Sequence, residues 1–164
     1  MTGHLARAVL LALLAAAASA CGYRLGPAAP VSGAATVRIP VFENRTYRRG
    51  VETDLARQIT ASLSSRSRLR LVDEGGDLVV EGSIVEIRED LLSAKENEEV
   101  RESALFVTVE VTVRDGRTGE PVVKMRRLTE RESFVPGIGE TLRTARVEAL
   151  KRLAEDLVDL LEAP

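Results

Sequence analysis

Residues 105–114 alternate along the chain between aliphatic and mostly polar side chains. The aliphatic positions are Leu105, Val107, Val109, Val111 and Val113. The positions between them are Phe106, Thr108, Glu110, Thr112 and Arg114. Because successive side chains of a β-strand point to opposite faces, this pattern predicts a strand with one buried and one solvated face. The chain must therefore build a sheet of which one face is covered.

Two segments with a helical period can supply that cover. Between residues 50 and 65, apolar side chains recur at every fourth position: Val51, Leu55, Ile59 and Leu63. The last helix is predicted to begin at Glu140 or Thr141, and its apolar stripe is wider: Leu142, Ala145, Ala149, Leu150, Leu153, Ala154, Leu157, Leu160 and Leu161. An apolar stripe of this width must pack against another element.

Weaker patterns complete the order of elements. Residues 36–41 alternate with Val37, Ile39 and Val41 on one face, and Pro40, which lacks an N–H group, places this strand at an edge or at its end. Residues 77–88 form a longer strand whose buried face changes, as in a doubly covered strand or at a bulge near Gly82. Residues 90–101 are mostly charged and predict a mobile hairpin loop.

The resulting β-α-β-β-β-α order predicts an α+β fold. We expect a mixed or antiparallel sheet of about four to five strands, with two helices packed on one face. Residues 36–164 are predicted to form this single domain, and residues 21–35, rich in Pro, Ala, Gly and Ser, a flexible tether before it.

The N-terminus has the parts of a secretory signal. Arg7 precedes the apolar run 8–18, which is too short to span a membrane, and small residues lead up to Cys21, the one cysteine of the chain. We predict that residues 1–20 are removed and that Cys21 receives a diacylglycerol and an N-acyl chain. The alternative is a free thiol, which oxidation disfavours outside the cytoplasm. Gly22 rather than aspartate after Cys21 is typical of outer-membrane lipoproteins.

Charge and composition bear on the class of function. Without residues 1–20 the chain carries 22 Lys and Arg against 25 Asp and Glu, a net charge of −3, and few aromatic residues. Nucleic-acid binding is not expected from such a chain. His4, the only histidine, leaves with the signal, which excludes Ser-His and Cys-His catalysis and Cys/His zinc sites in the mature chain. We therefore predict a protein that is not an enzyme and holds neither a metal nor a further cofactor.

Three features allow weak ligand binding. Glu96, Glu98 and Glu99 could hold calcium, but they lack the spacing and the turn glycine of an EF-hand, which favours a solvated charge run. Residues 137–139 (Gly-Ile-Gly) could cradle an anion before the last helix or form a plain turn. The strand 122–133 contains four cations, Lys124, Arg126, Arg127 and Arg131. They either protect an edge strand from aggregation or bind phosphates and carboxylates.

Three features together resemble the lipopolysaccharide-assembly lipoproteins, the LptE family. They are residues 21–25 (Cys-Gly-Tyr-Arg-Leu), residues 37–44 (Val-Arg-Ile-Pro-Val-Phe-Glu-Asn), and the element order with its leucine-striped last helix. The resemblance implies an outer-membrane lipoprotein, facing the periplasm, that plugs a β-barrel translocon, helps it assemble and binds lipopolysaccharide. It also implies that hairpin cations contribute to lipid binding, here Lys95 and Arg101, whereas residues 134–139, the second such segment, contain no cation.

A second class of function fits the same pattern. The strand 37–44, a helix and residues 69–73 (Leu-Arg-Leu-Val-Asp) also resemble lipoproteins that activate periplasmic cell-wall synthases or build secretion channels. A carrier of small periplasmic ligands is a third possibility. Co-purification with an outer-membrane barrel or with a peptidoglycan synthase would separate the first two.

Overall fold

The computed structural model describes residues 33–94, 101–135 and 141–162. These residues form six strands and two helices. The elements are β1 (Thr36–Arg38), β2 (Glu43–Asn44), α1 (Val51–Arg66), β3 (Arg70–Leu71), β4 (Leu78–Ala94), β5 (Arg101–Asp115), β6 (Pro121–Phe134) and α2 (Leu142–Glu162).

The strands form a single mixed sheet in the order β3-β1-β4-β5-β6, with β2 also paired to β4. β1 runs parallel to β3 and β4, and β2 runs parallel to β4, whereas β4, β5 and β6 are antiparallel. The α+β class is confirmed. The sheet has six strands rather than four to five, because the chain from 36 to 44 makes two short strands instead of one.

Both helices pack side by side on one face of the sheet. Val51, Leu55, Ile59 and Leu63 of α1 are all buried, as their four-residue spacing predicts. In α2 the buried apolar positions are Ala145, Ala149, Leu150, Leu153, Ala154, Leu157, Val158 and Leu161. Together with the sheet they form one hydrophobic core, which accounts for the stability of a chain that has no cysteine after position 21.

Strand β5 confirms the alternation in its sequence. Leu105, Val107, Val109, Val111 and Val113 are each at most 2% exposed. The intervening side chains point to the face that no described helix covers. In β4 the buried face changes because the register with β5 shifts between Ile84 and Glu86, which is a β-bulge two to four residues beyond the predicted position.

The first strand differs from its predicted pattern at Val41, which is 66% exposed instead of buried. Pro40 interrupts the strand, so the chain leaves β1 after Arg38 and rejoins the sheet at Glu43. Phe42 takes the buried place and is 4% exposed. Its ring lies directly on Gly82 of β4, where a Cβ atom would come within 2.4 Å of ring carbons.

Asn44, which follows Phe42 and Glu43, organises the turn before α1. Its side-chain NH₂ donates to the carbonyl of Arg48 and to Oε2 of Glu52, both at 2.7 Å. Its Oδ1 accepts from the N–H and the hydroxyl of Thr46, at 2.9 and 2.8 Å. This one amide therefore connects β2 to the first turn of α1.

Asp77 holds the beginning of β1 against β4. One carboxylate oxygen accepts from the backbone N–H groups of Ala35 and Thr36, both at 3.0 Å, and from the Thr36 hydroxyl at 2.9 Å. The bond from Ala35, followed by those from Thr36, holds the pKa of Asp77 below its ordinary value. These bonds fix the position of Ala35 and Thr36, where the chain enters the sheet.

The charged segment 90–101 is not wholly a loop. β4 continues to Ala94 and β5 begins at Arg101, with backbone pairing up to these two residues. Residues 95–100 lie outside the described residues, as do Glu96, Glu98 and Glu99 of the calcium hypothesis and the Gly-Ile-Gly segment 137–139. The two strands extend further than their charged composition predicted. Each residue added to an antiparallel ladder continues a register that is already formed, so backbone hydrogen bonds lengthen the hairpin without apolar side chains.

Candidate functional surface

The face of the sheet opposite the helices is a polar surface, which we call the open sheet face. It comprises Phe106, Thr108, Glu110, Thr112 and Arg114 of β5 with the side chains beside them on β4 and β6. The register places Ser83 of β4 beside Glu110, and Arg127 of β6 on its other side. At the centre the hydroxyls of Thr108 and Thr129 are 3.0 Å apart and hydrogen-bonded.

Ion pairs between neighbouring strands cross this face. Nε of Arg114 donates to Glu81 at 2.9 Å, and the guanidinium of Arg127 donates to Glu110 at 2.7 Å. All four side chains are at least 20% exposed, so each pair stabilises the fold by at most about 1 kcal/mol. The pairs matter more for the character of the surface, which is hydrophilic and carries both signs of charge.

One aromatic ring interrupts the polar surface near the hairpin end of the sheet. The guanidinium carbon of Arg88 lies 4.6 Å from the ring centroid of Phe106, a cation–π contact. Arg88 also forms ion pairs with Glu86 and Asp90 on its own strand. On the other side of Phe106 the register places Arg131 of β6. Two cations therefore flank one aromatic ring.

The predicted cationic strand is β6, and it is an edge strand as expected. The structure does not gather its four cations into one site. The register places Arg127 and Arg131 on the open sheet face, beside Glu110 and Phe106, whereas Arg126 stands opposite Val111 on the helix side. All four, Lys124 included, are exposed. Within the described part of the chain only Arg127 forms an ion pair.

The other predicted site residues lie at or beyond the limits of the described chain. Cys21 and Lys95 are outside the described residues. Arg101 is the first residue of β5, where its backbone pairs with Ala94. Sequence reasoning missed Arg88 on the open sheet face, because the bulge after Ile84 shifts the alternation of β4 by one residue. The alternation of β5 places Phe106 on the open sheet face, and Arg88 is paired with Phe106, so pairing the two strands in the sequence could have located Arg88.

Two further properties of the described residues concern metal binding and membrane crossing. Among residues 33–94, 101–135 and 141–162, no group of three or more His, Cys, Asp or Glu side chains is placed to hold a metal ion. Within the same ranges, neither helix combines the length and the apolar character that crossing a membrane requires.

Two carboxyl groups meet where β6 packs on α2. Partial burial raises the pKa of Glu130, and a hydrogen bond to Asp156 and repulsion from its charge raise it further, while Arg152 acts in the opposite direction. Because the folded state binds this proton more tightly than the unfolded state, stability falls as the pH rises from about 4.5 through the raised pKa.

We therefore expect Glu130→Gln to raise the melting temperature at pH 7 and to lose this advantage below about pH 4.5. Thermal melts across that pH range measure the effect. Glu120→Gln at an exposed position is the matched control and should leave the pH profile unchanged. A Glu130→Gln variant that is less stable than the parent at pH 7 would show that attraction by Arg152 outweighs burial.

The fold and the surface together define a class of protein: a small α+β domain with a helix-covered sheet face and an open, mixed-charge face. A family comparison then identifies the chain more closely. The family model LptE, lipopolysaccharide-assembly, matches residues 34–163. The chain therefore belongs to the LptE family of lipopolysaccharide-assembly proteins, a non-catalytic lipoprotein family of the cell envelope. Comparison with curated proteins finds no match.

Solved structures with a similar fold come from several bacteria. A hypothetical protein of Chlamydia trachomatis is 15% identical, with a TM-score of 0.57 over 77% of this chain and 95% of that chain. A minor lipoprotein of Acinetobacter baumannii is 19% identical, with a TM-score of 0.49 over 79% and 91%. Rare lipoprotein B of Shewanella oneidensis is 18% identical, with a TM-score of 0.45 over 77% and 89%. At these identities the Chlamydia structure supports the fold alone.

Proposed function

We propose that this protein is an outer-membrane lipoprotein that plugs the β-barrel translocon for lipopolysaccharide and helps it assemble. Its role in lipopolysaccharide assembly follows from the family. The observation that carries the finer proposal is the open sheet face, which no described helix covers and which displays polar and charged side chains of both signs.

Such a face suits the interior of a large outer-membrane barrel. The lumen of these barrels is polar, because their strands alternate between apolar side chains toward lipid and polar side chains toward the inside. The cross-strand pairs Arg114–Glu81 and Arg127–Glu110 are already formed in the free domain. Polar hydroxyls and amides of a barrel wall can therefore contact these four side chains without breaking either pair.

Anchoring is proposed to occur at Cys21, after removal of residues 1–20. One thioether-linked diacylglycerol and one N-acyl chain place three hydrocarbon chains in the bilayer, and two already give stable attachment. The domain would then work at the periplasmic face of the outer membrane.

Cys21→Ala is expected to abolish acylation and to release the protein from membranes, because the whole attachment depends on one sulfur atom. Labelled palmitate incorporation and membrane fractionation in the native host measure the two effects. Cys21→Ser is a matched control that keeps the size of the side chain but removes the thiol, and it should behave like Cys21→Ala. Full membrane retention of both variants would contradict the proposed anchor.

Lipopolysaccharide itself is proposed to contact cations at the hairpin and on β6. The set is Lys95, Arg101, Lys124, Arg126, Arg127 and Arg131. Arg131 is the strongest member, since it is exposed beside Phe106 and forms no ion pair within the described ranges. Arg127 is the weakest, because Glu110 already engages it at 2.7 Å. Guanidinium groups suit the phosphates of such a ligand.

The first test is affinity purification from detergent-solubilised membranes, with mass spectrometry of the co-purified proteins. The second is depletion of the protein from cells. We expect a large outer-membrane barrel to co-purify, and lipopolysaccharide to accumulate inside depleted cells. Thr112→Trp on the open sheet face should weaken the association, whereas Val147→Trp, at an exposed position of α2, should not. Recovery of a peptidoglycan synthase with unchanged lipopolysaccharide transport would overturn the proposal and favour a cell-wall activator.

A further inference from the structure

A second cationic surface lies at the edge of the sheet away from β6. It is a groove of about 440 Å³ between the C-terminal turn of α1 and strand β3. None of the described residues that line it is acidic. Its charge comes from Arg68 and Arg70, both exposed. We call this the anchor-side groove, for the position described below.

Within the described part of the chain, no side chain forms an ion pair with either guanidinium group. Their neighbour Arg66 is paired across to α2, at 3.4 Å from Glu155 and 3.2 Å from Asp159. Arg68 and Arg70 form no ion pair with any residue in the described ranges. The carboxylate of Glu162 accepts a hydrogen bond from Ser67 and is only 6% exposed, so it does not face the mouth of the groove. The groove therefore presents two positive charges.

Apolar surface adjoins these charges. Leu71 is 42% exposed and lines both the anchor-side groove and a neighbouring groove with Ile39 and Pro40. Cations beside an exposed leucine are typical of a surface that meets the headgroup region of a bilayer. The guanidinium groups lie among phosphates there, and the apolar side chain reaches toward the acyl boundary.

Hydrogen bonds just before β1 place the groove next to the segment that follows Cys21. The N–H of Arg70 donates to the carbonyl of Ala35 at 3.0 Å, and Asp77 holds Ala35 and Thr36 from the other side. Residues 22–32 separate Cys21 from Gly33, the first described residue. A chain of that length spans at most about 40 Å even when fully extended, so a membrane that holds Cys21 lies within that reach of the residues that lead into β1.

We propose that Arg68, Arg70 and Leu71 form a membrane-contact surface that binds the phosphate headgroups of anionic phospholipids in the leaflet carrying the anchor. The orientation argument rests on the proposed anchoring at Cys21. Binding at this edge turns β3 toward the bilayer and leaves the cationic strand β6, at the other edge of the sheet, pointing away from it.

The test uses the mature chain from residue 21 with Cys21→Ala, so that no acyl chain contributes to binding. The described residues of the hydrophobic core run from Ala34 to Leu161, and all of them are present in this form. Sedimentation with vesicles compares phosphatidylcholine alone with an equal mixture of phosphatidylcholine and phosphatidylglycerol. We expect binding to the anionic vesicles only, weakened by salt.

Matched double variants locate the surface. Arg68→Ser with Arg70→Ser should weaken binding to anionic vesicles about 25-fold, since one basic residue near an anionic membrane surface contributes about fivefold. Arg143→Ser with Lys151→Ser removes the same charge from exposed positions on α2 and should change binding less than about twofold. Melting curves confirm that all variants are folded.

Three results would overturn the proposal: no preference for anionic vesicles, equal losses in the two double variants, or displacement by inorganic phosphate beyond the effect of chloride at equal ionic strength. The last would indicate a soluble phosphate ligand instead of a lipid. Failure of acylation at Cys21 or of barrel co-purification would leave these vesicle measurements unchanged, so the two proposals fail separately.

Discussion

Leu153→Asp is expected to unfold the domain at room temperature. Leu153 is 1% exposed and belongs to the stripe of α2 that closes the core over the sheet. The change removes a buried leucine, which alone costs about 2–5 kcal/mol. It also places a carboxylate in apolar surroundings, which costs several kcal/mol more or forces protonation. The sum is comparable with the whole stability of a small domain, about 5–15 kcal/mol.

Circular dichroism and thermal melts of the purified protein measure this outcome. Val147→Asp is the matched control, because it introduces the same charge into the same helix at a position that is 44% exposed. We expect the control to change stability by less than about 0.5 kcal/mol, as for most surface substitutions. A cooperative, unchanged melt of Leu153→Asp would show that this face of α2 does not close the core.

Gly82→Ala is expected to destabilise the domain by about 2–4 kcal/mol, although it adds a single methyl group. The new Cβ would lie 2.4 Å from Cε2 and Cζ of Phe42, less than any tolerated carbon–carbon contact. The backbone of Gly82 is paired in the long β4–β5 ladder, so the ring must move instead. Phe42 then loses its buried position beside β2.

A double-mutant cycle with Phe42→Ala tests this explanation. Phe42→Ala alone should be destabilising, since it empties a buried site, but it should make the second change, Gly82→Ala, nearly neutral. Chemical denaturation of the four proteins gives the coupling energy. Additive effects of the two changes would mean that Gly82 is needed for the backbone of β4 and not for the ring.

The periodicity of the chain predicted most of the architecture. The spacing of Val51, Leu55, Ile59 and Leu63 identified α1 and its buried side, and the alternation from Leu105 to Val113 identified the buried face of β5. The class of fold and the helices on one face followed, because an apolar stripe must be covered wherever it occurs. The exposed position of β6 followed from the cations on both of its faces.

The prediction was weakest where distant segments meet. Val41 was predicted to share one face with Val37 and Ile39, but Pro40 ends the strand and Phe42 occupies the space above Gly82. The predicted strand 77–88 ended too early. The residues after 88 are extended because they pair with β5, and their own composition does not indicate a strand. The four cations of β6 were proposed as a group, yet the pleat separates Arg126 from Arg127 and Arg131.

The arginines of the two cationic surfaces were likewise not predicted to lie where the structure places them. Arg131 and Arg88 lie 43 positions apart in the chain and flank Phe106 only because β4, β5 and β6 are in register. Arg68 and Arg70 looked like ordinary polar residues after a helix. The place of Arg70 beside Ala35 depends on the parallel pairing of β1 with β3.

Local patterns of side chains determined which residues of this protein are helical or extended and which side of each element is apolar. They did so because a helix or strand repeats its orientation at a fixed period, which can be read from neighbouring residues. The tertiary structure alone decided the order of the strands, the seating of Phe42 on Gly82 and the meeting of the arginines with the end of the tether. Those contacts join residues far apart in the chain, and only the packing and register of the complete sheet select them.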